Sequence, residues 1–330
     1  MHSLVSHPLL LIVFSVVVLL MLLLDLGIFN KRSHVISNRE AIIWSIFWIS
    51  LSMAFSLFIY LSTKDEAGIE KFAQFQSAYW IEKALSVDNL FVFILVFGFF
   101  NVPREYHHRV LFWGIIGALV MRAIFIFSGV DLIKLTYLPE MTLFGQLLKI
   151  NVVLTLFGIF LIYAGIKSWF AEEDDDEEKD FSKSPGAKII HRFFKVSKEF
   201  DKDQFFTVEN GVKMATPLLV VVGVIEFTDL IFAVDSIPAI FAIAPDDPFI
   251  LYTSNIFAIL GLRSLYFLLA NFIHMFSRLK YGLAVILAFI GLKMVVSPLY
   301  HISSPLSLSI VGGVLALSFL ASVLFPAKEK

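Results

Sequence analysis

The sequence predicts an all-α polytopic membrane protein of about nine transmembrane helices, organised around an inverted repeat of three-helix units. Three observations carry that prediction. The 330 residues are 58% hydrophobic and only 16% charged, with a mean hydropathy of +0.83, more apolar than a soluble domain. Nine segments reach or approach the ~20 apolar residues that cross a bilayer as helix. A polar signature inside one of these segments also returns inside another, much later in the chain.

In chain order the apolar segments are 9–29, 41–61, 72–100, 110–130, 151–170, 216–244, 250–270, 281–297 and 306–325. The first resembles a signal peptide, but it lacks a basic leader, its apolar core is too long and no small-x-small cleavage site follows. It is expected to be a retained helix. The eighth is the shortest. Residues 1–71 thus hold two N-terminal helices, 72–170 the first three-helix unit, 216–297 the second, and 298–330 a C-terminal helix and tail. The linker 171–215 opens with "EEDDDEEKD" (172–180), expected to be solvated and flexible rather than a cation antenna. It continues with "AKIIHRFFKVSKEF" (187–200), where Ile189, Phe193, Val196 and Phe200 fall at helical spacing between lysines. That pattern suits an amphipathic helix on the membrane surface or a short soluble helix packed on the protein.

Basic residues orient the chain. With the N-terminus outside, the cytoplasmic loops and tail hold 17 Lys and Arg and the external segments four. The remaining five of the 26 lie inside apolar segments: Lys83, Arg122, Lys167, Arg263 and Lys293. The positive-inside rule therefore favours N-out, C-in. Lys167 and Lys293, near helix ends, are expected to snorkel to the interface. The absence of cysteine excludes disulfides and thiolate metal sites.

The recurring signature is "EKALSVDNLFVFIL" from Glu82 against "EFTDLIFAVDSIPAIF" from Glu226. Aligning Glu82 with Asp229 puts Val87-Asp88-Asn89 on Val234-Asp235-Ser236. "LVMRAIFIF" (119–127) then matches "LGLRSLYFL" (260–268), pairing Arg122 with Arg263, and "GIK" (165–167) matches "GLK" (291–293). A unit of three helices reverses direction when repeated. That inverted-repeat plan is the one many secondary transporters use to place a binding site near the bilayer midplane.

The ionisable groups away from helix ends are Glu82, Asp88, Glu226, Asp229 and Asp235 against Lys83, Arg122 and Arg263. Each costs about 2.5–3.5 kcal/mol at a helix centre, so something must compensate them. The two arginines are expected to bridge carboxylates and lock helices together. The acids outnumber the bases by two, the charge one divalent cation neutralises, and all five are candidate metal ligands. Asn89, Ser236 and Asp25 are additional candidates, Asp25 also reading as a simple end residue of the first helix. In a straight helix Glu226 and Asp229 share a face, while Asp235 points away about 13 Å beyond Glu226. Convergence on one ion therefore needs unwinding, or ligands from both repeats. Pro238 removes a backbone donor close to Asp235 and Ser236. The expectation is interrupted helical hydrogen bonding near Asn89 and Ser236–Pro238, with Asp88 and Asp235 within about 8 Å of each other around a shared cation.

Carboxylate, amide and hydroxyl oxygens suit a hard cation, and do not choose among Mg²⁺, Ca²⁺ and Mn²⁺. "EKALSVDNLFVF", "GALVMRAIFIF", "VVGVIEFTDLIFAVDSIPAIFAI" and "SNIFAILGLRSLYFLL" closely resemble the TerC family of membrane proteins, named for tellurium resistance, over about Asp25 to Pro298. Bacterial members of that family are implicated in manganese efflux, so the resemblance implies an inverted-repeat exporter with Mn²⁺ as the transported ion. It also places Glu82, Asp88, Glu226, Asp229 and Asp235 on the family's motif positions. Tellurite, an oxyanion, is not drawn to acidic sites. No phosphate-binding loop signature is present, so a primary pump is not expected. Exporting a divalent cation against 100 mV costs about 4.6 kcal/mol, at roughly 2.3 per charge, and protons are the simplest driving ion. The reading is a proton-coupled Mn²⁺ exporter of the bacterial inner membrane, not an enzyme, with no permanently bound cofactor and no nucleic-acid partner. The alternative is a non-transporting scaffold of a metal or tellurite stress-response complex, whose acids are only structural.

Overall fold

The computed structural model describes residues 8–29, 36–63, 65–139, 141–143, 146–170, 180–209, 211–271, 279–300 and 302–324. Helix accounts for 81% of them, as expected where no water satisfies the backbone and only a helix closes its own hydrogen bonds. The first half holds α1 (Pro8–Phe29), α2 (Asn38–Thr63), α3 (Asp65–Phe99), α4 (Arg104–Leu135) and α5 (Val152–Phe170). The short α6 (Pro185–Phe193) follows, then α7 (Pro217–Phe241), α8 (Pro248–Leu260), α9 (Leu262–Asn271), α10 (Leu279–Val296) and α11 (Ser304–Leu324). Two antiparallel hairpins sit in the connections, β1 (Met141–Leu143) with β2 (Gln146–Leu148) and β3 (Phe206–Glu209) with β4 (Val212–Ala215).

Among the described residues five helices, α2, α4, α5, α7 and α11, are long and apolar enough to cross a membrane alone. The pair α8 and α9, bent by 41° about Gly261, makes a sixth if taken as one span. The nine spans expected from sequence are not all recovered by this measure. Every 18-residue window of α3 takes in at least three charged residues, and the apolar stretch described in α1 is only Leu10–Met21.

The linker helix is shorter than its periodicity suggests. Ser184 caps α6 by accepting from the Ala187 amide and Pro185 takes the first turn, a standard helix start. The helix stops at Phe193, and Val196 pairs instead with Ala215 as an isolated bridge. Of the acidic run, only Asp180 falls within the described residues. Lys167 is exposed as expected of a snorkelling lysine. Lys293 is not: it is buried, with Nζ donating to Ser307 Oγ at 2.9 Å.

Packing centres on α3, which touches α2, α7, α8, α9, α10 and α11. The tightest pair is α5 with α10. A Cβ added at Gly158 would stand 2.8 Å from the Gly291 carbonyl oxygen, and one at Gly165 would stand 2.6 Å from that of Ala284. Small residues here let two backbones touch, the usual basis of helix association in lipid. Each end of the bundle holds a cavity. One, of about 310 Å³, is lined by Glu70, Lys71, Lys149, Phe241, Asp247 and Ser304, with Lys71 paired to Asp247 at 2.5 Å. The other, of about 390 Å³, is lined by Phe97, Asn101, Arg104, His107 and Tyr266. The start of α3 (Glu70) and the end of α7 (Phe241) share the first cavity, while Phe93 late in α3 meets Ile225 early in α7. The two helices therefore run antiparallel.

Candidate cation site

Glu82 stands at the centre of α3, Arg122 and Asp229 near the middle of α4 and α7, and Asn255 near the middle of α8. Their side chains meet. Arg122 and Glu82 are each 0% exposed, and a buried charge is tolerated only when paired and hydrogen-bonded. Arg122 Nη1 donates to Glu82 Oε1 in a short ion pair and to Asn255 Oδ1 at 3.2 Å, while Nη2 donates to Asp229 Oδ1 at 3.5 Å. Asn255 Nδ2 donates to Glu82 Oε2 at 3.1 Å, and Ser86 Oγ to Glu82 Oε1 at 3.1 Å. Both oxygens of Glu82 are thus engaged by protein donors. The bridging expected of Arg122 is what the structure has.

Glu226 lies half-buried one turn before Asp229 and points at α4. A Cβ at Gly117 would overlap its carboxylate oxygens, so the carboxylate takes this position because residue 117 has no side chain. Arg263 is buried and shares a void of about 20 Å³ with Asp229 and Leu90. Asn89 and Ser236 are buried, and Ser236 Oγ finds no hydrogen-bond partner among the described residues. Lys83 is buried with Nζ donating to the Ala258 carbonyl at 3.3 Å. Asp25, Asp88 and Asp235 lie on α1, α3 and α7, with their side chains outside the described set. Among the described residues no three histidines or acids converge to hold a metal ion.

One expectation about this geometry is corrected. α3 runs unbroken through Asn89, and α7 runs unbroken through Ser236 and Pro238. Pro238 sits one turn from the end of α7, and its own carbonyl still accepts from the Ala242 amide at 3.3 Å. A missing donor there precedes the helix end rather than opening its middle. The expected approach of Asp88 to Asp235 rests on side chains that lie outside the described residues.

A count of ionisable groups passes over Asn255, Ser86 and Gly117. The polar triplet Thr253-Ser254-Asn255 inside the otherwise apolar α8 is the signal that marks the first of them. Gly117 carries none until its neighbour is known.

The model of the Integral membrane protein TerC family matches residues 67–330. The "Uncharacterized membrane protein STKORF319" of Myxococcus xanthus is 42% identical over 313 residues, covering 94% of this chain and 91% of its own. The "Putative membrane-bound redox modulator Alx" of Escherichia coli K12 is 41% identical over 321 residues, 96% of this chain and 94% of its own. An "Uncharacterized membrane protein" of Rickettsia bellii is 38% identical over 313 residues, 95% of this chain and 96% of its own. No solved structure matches. With the match running through both acidic helices and the relatives covered almost end to end, the chain belongs to the TerC family of multi-pass integral membrane proteins.

Proposed function

We propose that the chain is a secondary transporter exporting a divalent cation, with Mn²⁺ as its substrate, through a carboxylate-lined site near the bilayer midplane beside the Glu82–Arg122–Asp229 network. The observation that carries this reading is the mid-helix position of that network. One arginine holds two acids at the centre of the bundle, and the sequence carries three further acids, Asp88, Glu226 and Asp235, on the same two helices. Asn89 and the unpartnered Ser236 hydroxyl add neutral oxygens, and carboxylate with amide and hydroxyl oxygen is a donor set suited to a hard cation.

Antiparallel α3 and α7, and a tight α5–α10 pair, are the arrangement an inverted repeat requires. A cation passing along the bundle centre meets the guanidinium, so the pairing of Arg122 with Glu82 and Asp229 has to be remade during a cycle. Export against the bacterial inner-membrane potential costs about 4.6 kcal/mol per 100 mV, which protons taken up by the vacated carboxylates offset. The names of the Alx relatives describe redox modulation; with no cysteine in this sequence, such a role here could not use thiols.

Flux of radioactive Mn²⁺ into proteoliposomes under an imposed pH gradient tests the reading. Wild-type protein should take up the ion with proton counterflow, Asp88→Asn and Asp235→Asn should not, and Lys167→Gln should behave as wild type. Folded wild-type protein without flux would sink the transporter and favour the stress-complex scaffold.

A further inference from the structure

The mechanism above makes no use of Lys83, although a buried lysine in the middle of a membrane bundle is costly. Its ammonium lies against the break between α8 and α9. The last four carbonyls of a helix have no amide partners within it, and the negative end of the helix dipole sits there. Ala258, in the last turn of α8, accepts from Lys83 Nζ at 3.3 Å. The approach depends on Gly261, because a Cβ at that position would stand 2.6 Å from the same Nζ. The arrangement belongs to one half of the chain only. In the alignment of the two units, Lys83 corresponds to Leu230 and Gly261 to Val120, and α4 runs unbroken through Val120 where its counterpart bends.

We propose that the α8–α9 break is a position for a monovalent cation, filled by a tethered one, the Lys83 ammonium. Broken helices in transporters present unwound carbonyls and helix C-termini to coupling ions such as Na⁺. Here the side chain supplies the positive charge permanently, which frees the protein from monovalent cations and keeps the break closed to them. The inference is independent of which ion is exported.

Thermal unfolding of the purified full chain, in sodium or potassium chloride against N-methylglucamine chloride at equal ionic strength, tests it without any transport readout. Wild-type protein should unfold at the same temperature in all three salts. Lys83→Ala opens space and should gain stabilisation of several degrees from Na⁺ or K⁺, and from n-butylammonium, by binding to the folded state. Lys83→Met fills the space without charge and should be less stable than wild type and indifferent to salt. A wild type that already responds to Na⁺ or K⁺ overturns the proposal. So does a Lys83→Ala protein that unfolds alike in every salt, or that folds in none of them. Recovery of folded Lys83→Ala only in sodium, potassium or butylammonium supports it.

Discussion

Arg122→Met tests the centre of the bundle most directly. The substitution keeps much of the side-chain volume and removes the charge. It leaves Glu82, 0% exposed, and Asp229, 5% exposed, without their shared cation, and takes the donor from Asn255 Oδ1. Removing one partner of a buried ionic group costs about 3–5 kcal/mol, because the remaining charge stays buried and uncompensated. Replacing the whole group by neutral residues of similar size is often neutral or stabilising. Arg122→Met should therefore lose about 3–5 kcal/mol, and Arg122→Met with Glu82→Gln and Asp229→Asn should recover most of it. Reversible unfolding in mixed micelles of increasing dodecyl sulfate fraction measures both. The recovered triple variant should still not move Mn²⁺, which separates the network's part in transport from its part in folding. An Arg122→Met protein within about 1 kcal/mol of wild type would refute the reasoning, as would a triple variant no more stable than the single one.

Paired cysteines replacing Asp88 and Asp235 should be joined rapidly by the shortest bifunctional thiol reagents if the two acids share one cation; resistance to them would rule out the single shared site. The native chain has no cysteine, so a cysteine placed at Asp176 should be labelled from outside only after the membrane is permeabilised, and labelling in intact cells would invert the topology. Gly117→Ala puts a methyl group where the Glu226 carboxylate stands; that flexible end can move aside and Ala favours helix by about 0.5–1 kcal/mol, so stability should hold while the displaced carboxylate slows Mn²⁺ flux. Wild-type flux from Gly117→Ala would remove Glu226 from the pathway.

The sequence makes the membrane class, the broad order of apolar segments and the buried acids legible, because hydropathy and intramembrane charge are local signals. It also yields Arg122 as a bridge, since an arginine at mid-span has few other ways to be compensated. What it does not reveal is relational. Asn255 is neutral and costs little on any hydropathy scale, yet it joins α8 to the network by hydrogen bonds to both Arg122 and Glu82. The seventh apolar segment reads as one helix because Gly261 is a small residue in an apolar run, and only the packed structure shows Lys83 entering at that point. The linker helix is misjudged at its end for a similar reason. Val196 keeps the helical spacing, but a partner strand end at Ala215 claims it.

The expectation of one site shared by Asp88 and Asp235 treats repeat-equivalent residues as neighbours, which sets a geometric condition. A two-fold axis in the membrane plane carries a residue at a given height above the midplane to the same height below it, so equivalents meet only where that height is near zero. Glu82 and Asp229 both reach Arg122 near the centres of their helices. The α5–α10 pair offers an independent check among described residues. The alignment of "GIK" with "GLK" makes Gly165 equivalent to Gly291 and Gly158 equivalent to Ala284. A two-fold then converts the close approach of Gly158 to Gly291 into one of Ala284 to Gly165, and both contacts are present. A pair of contacts related in this way is hard to obtain from two unrelated helices. It supports the two-fold relation that an inverted repeat would impose on α5 and α10.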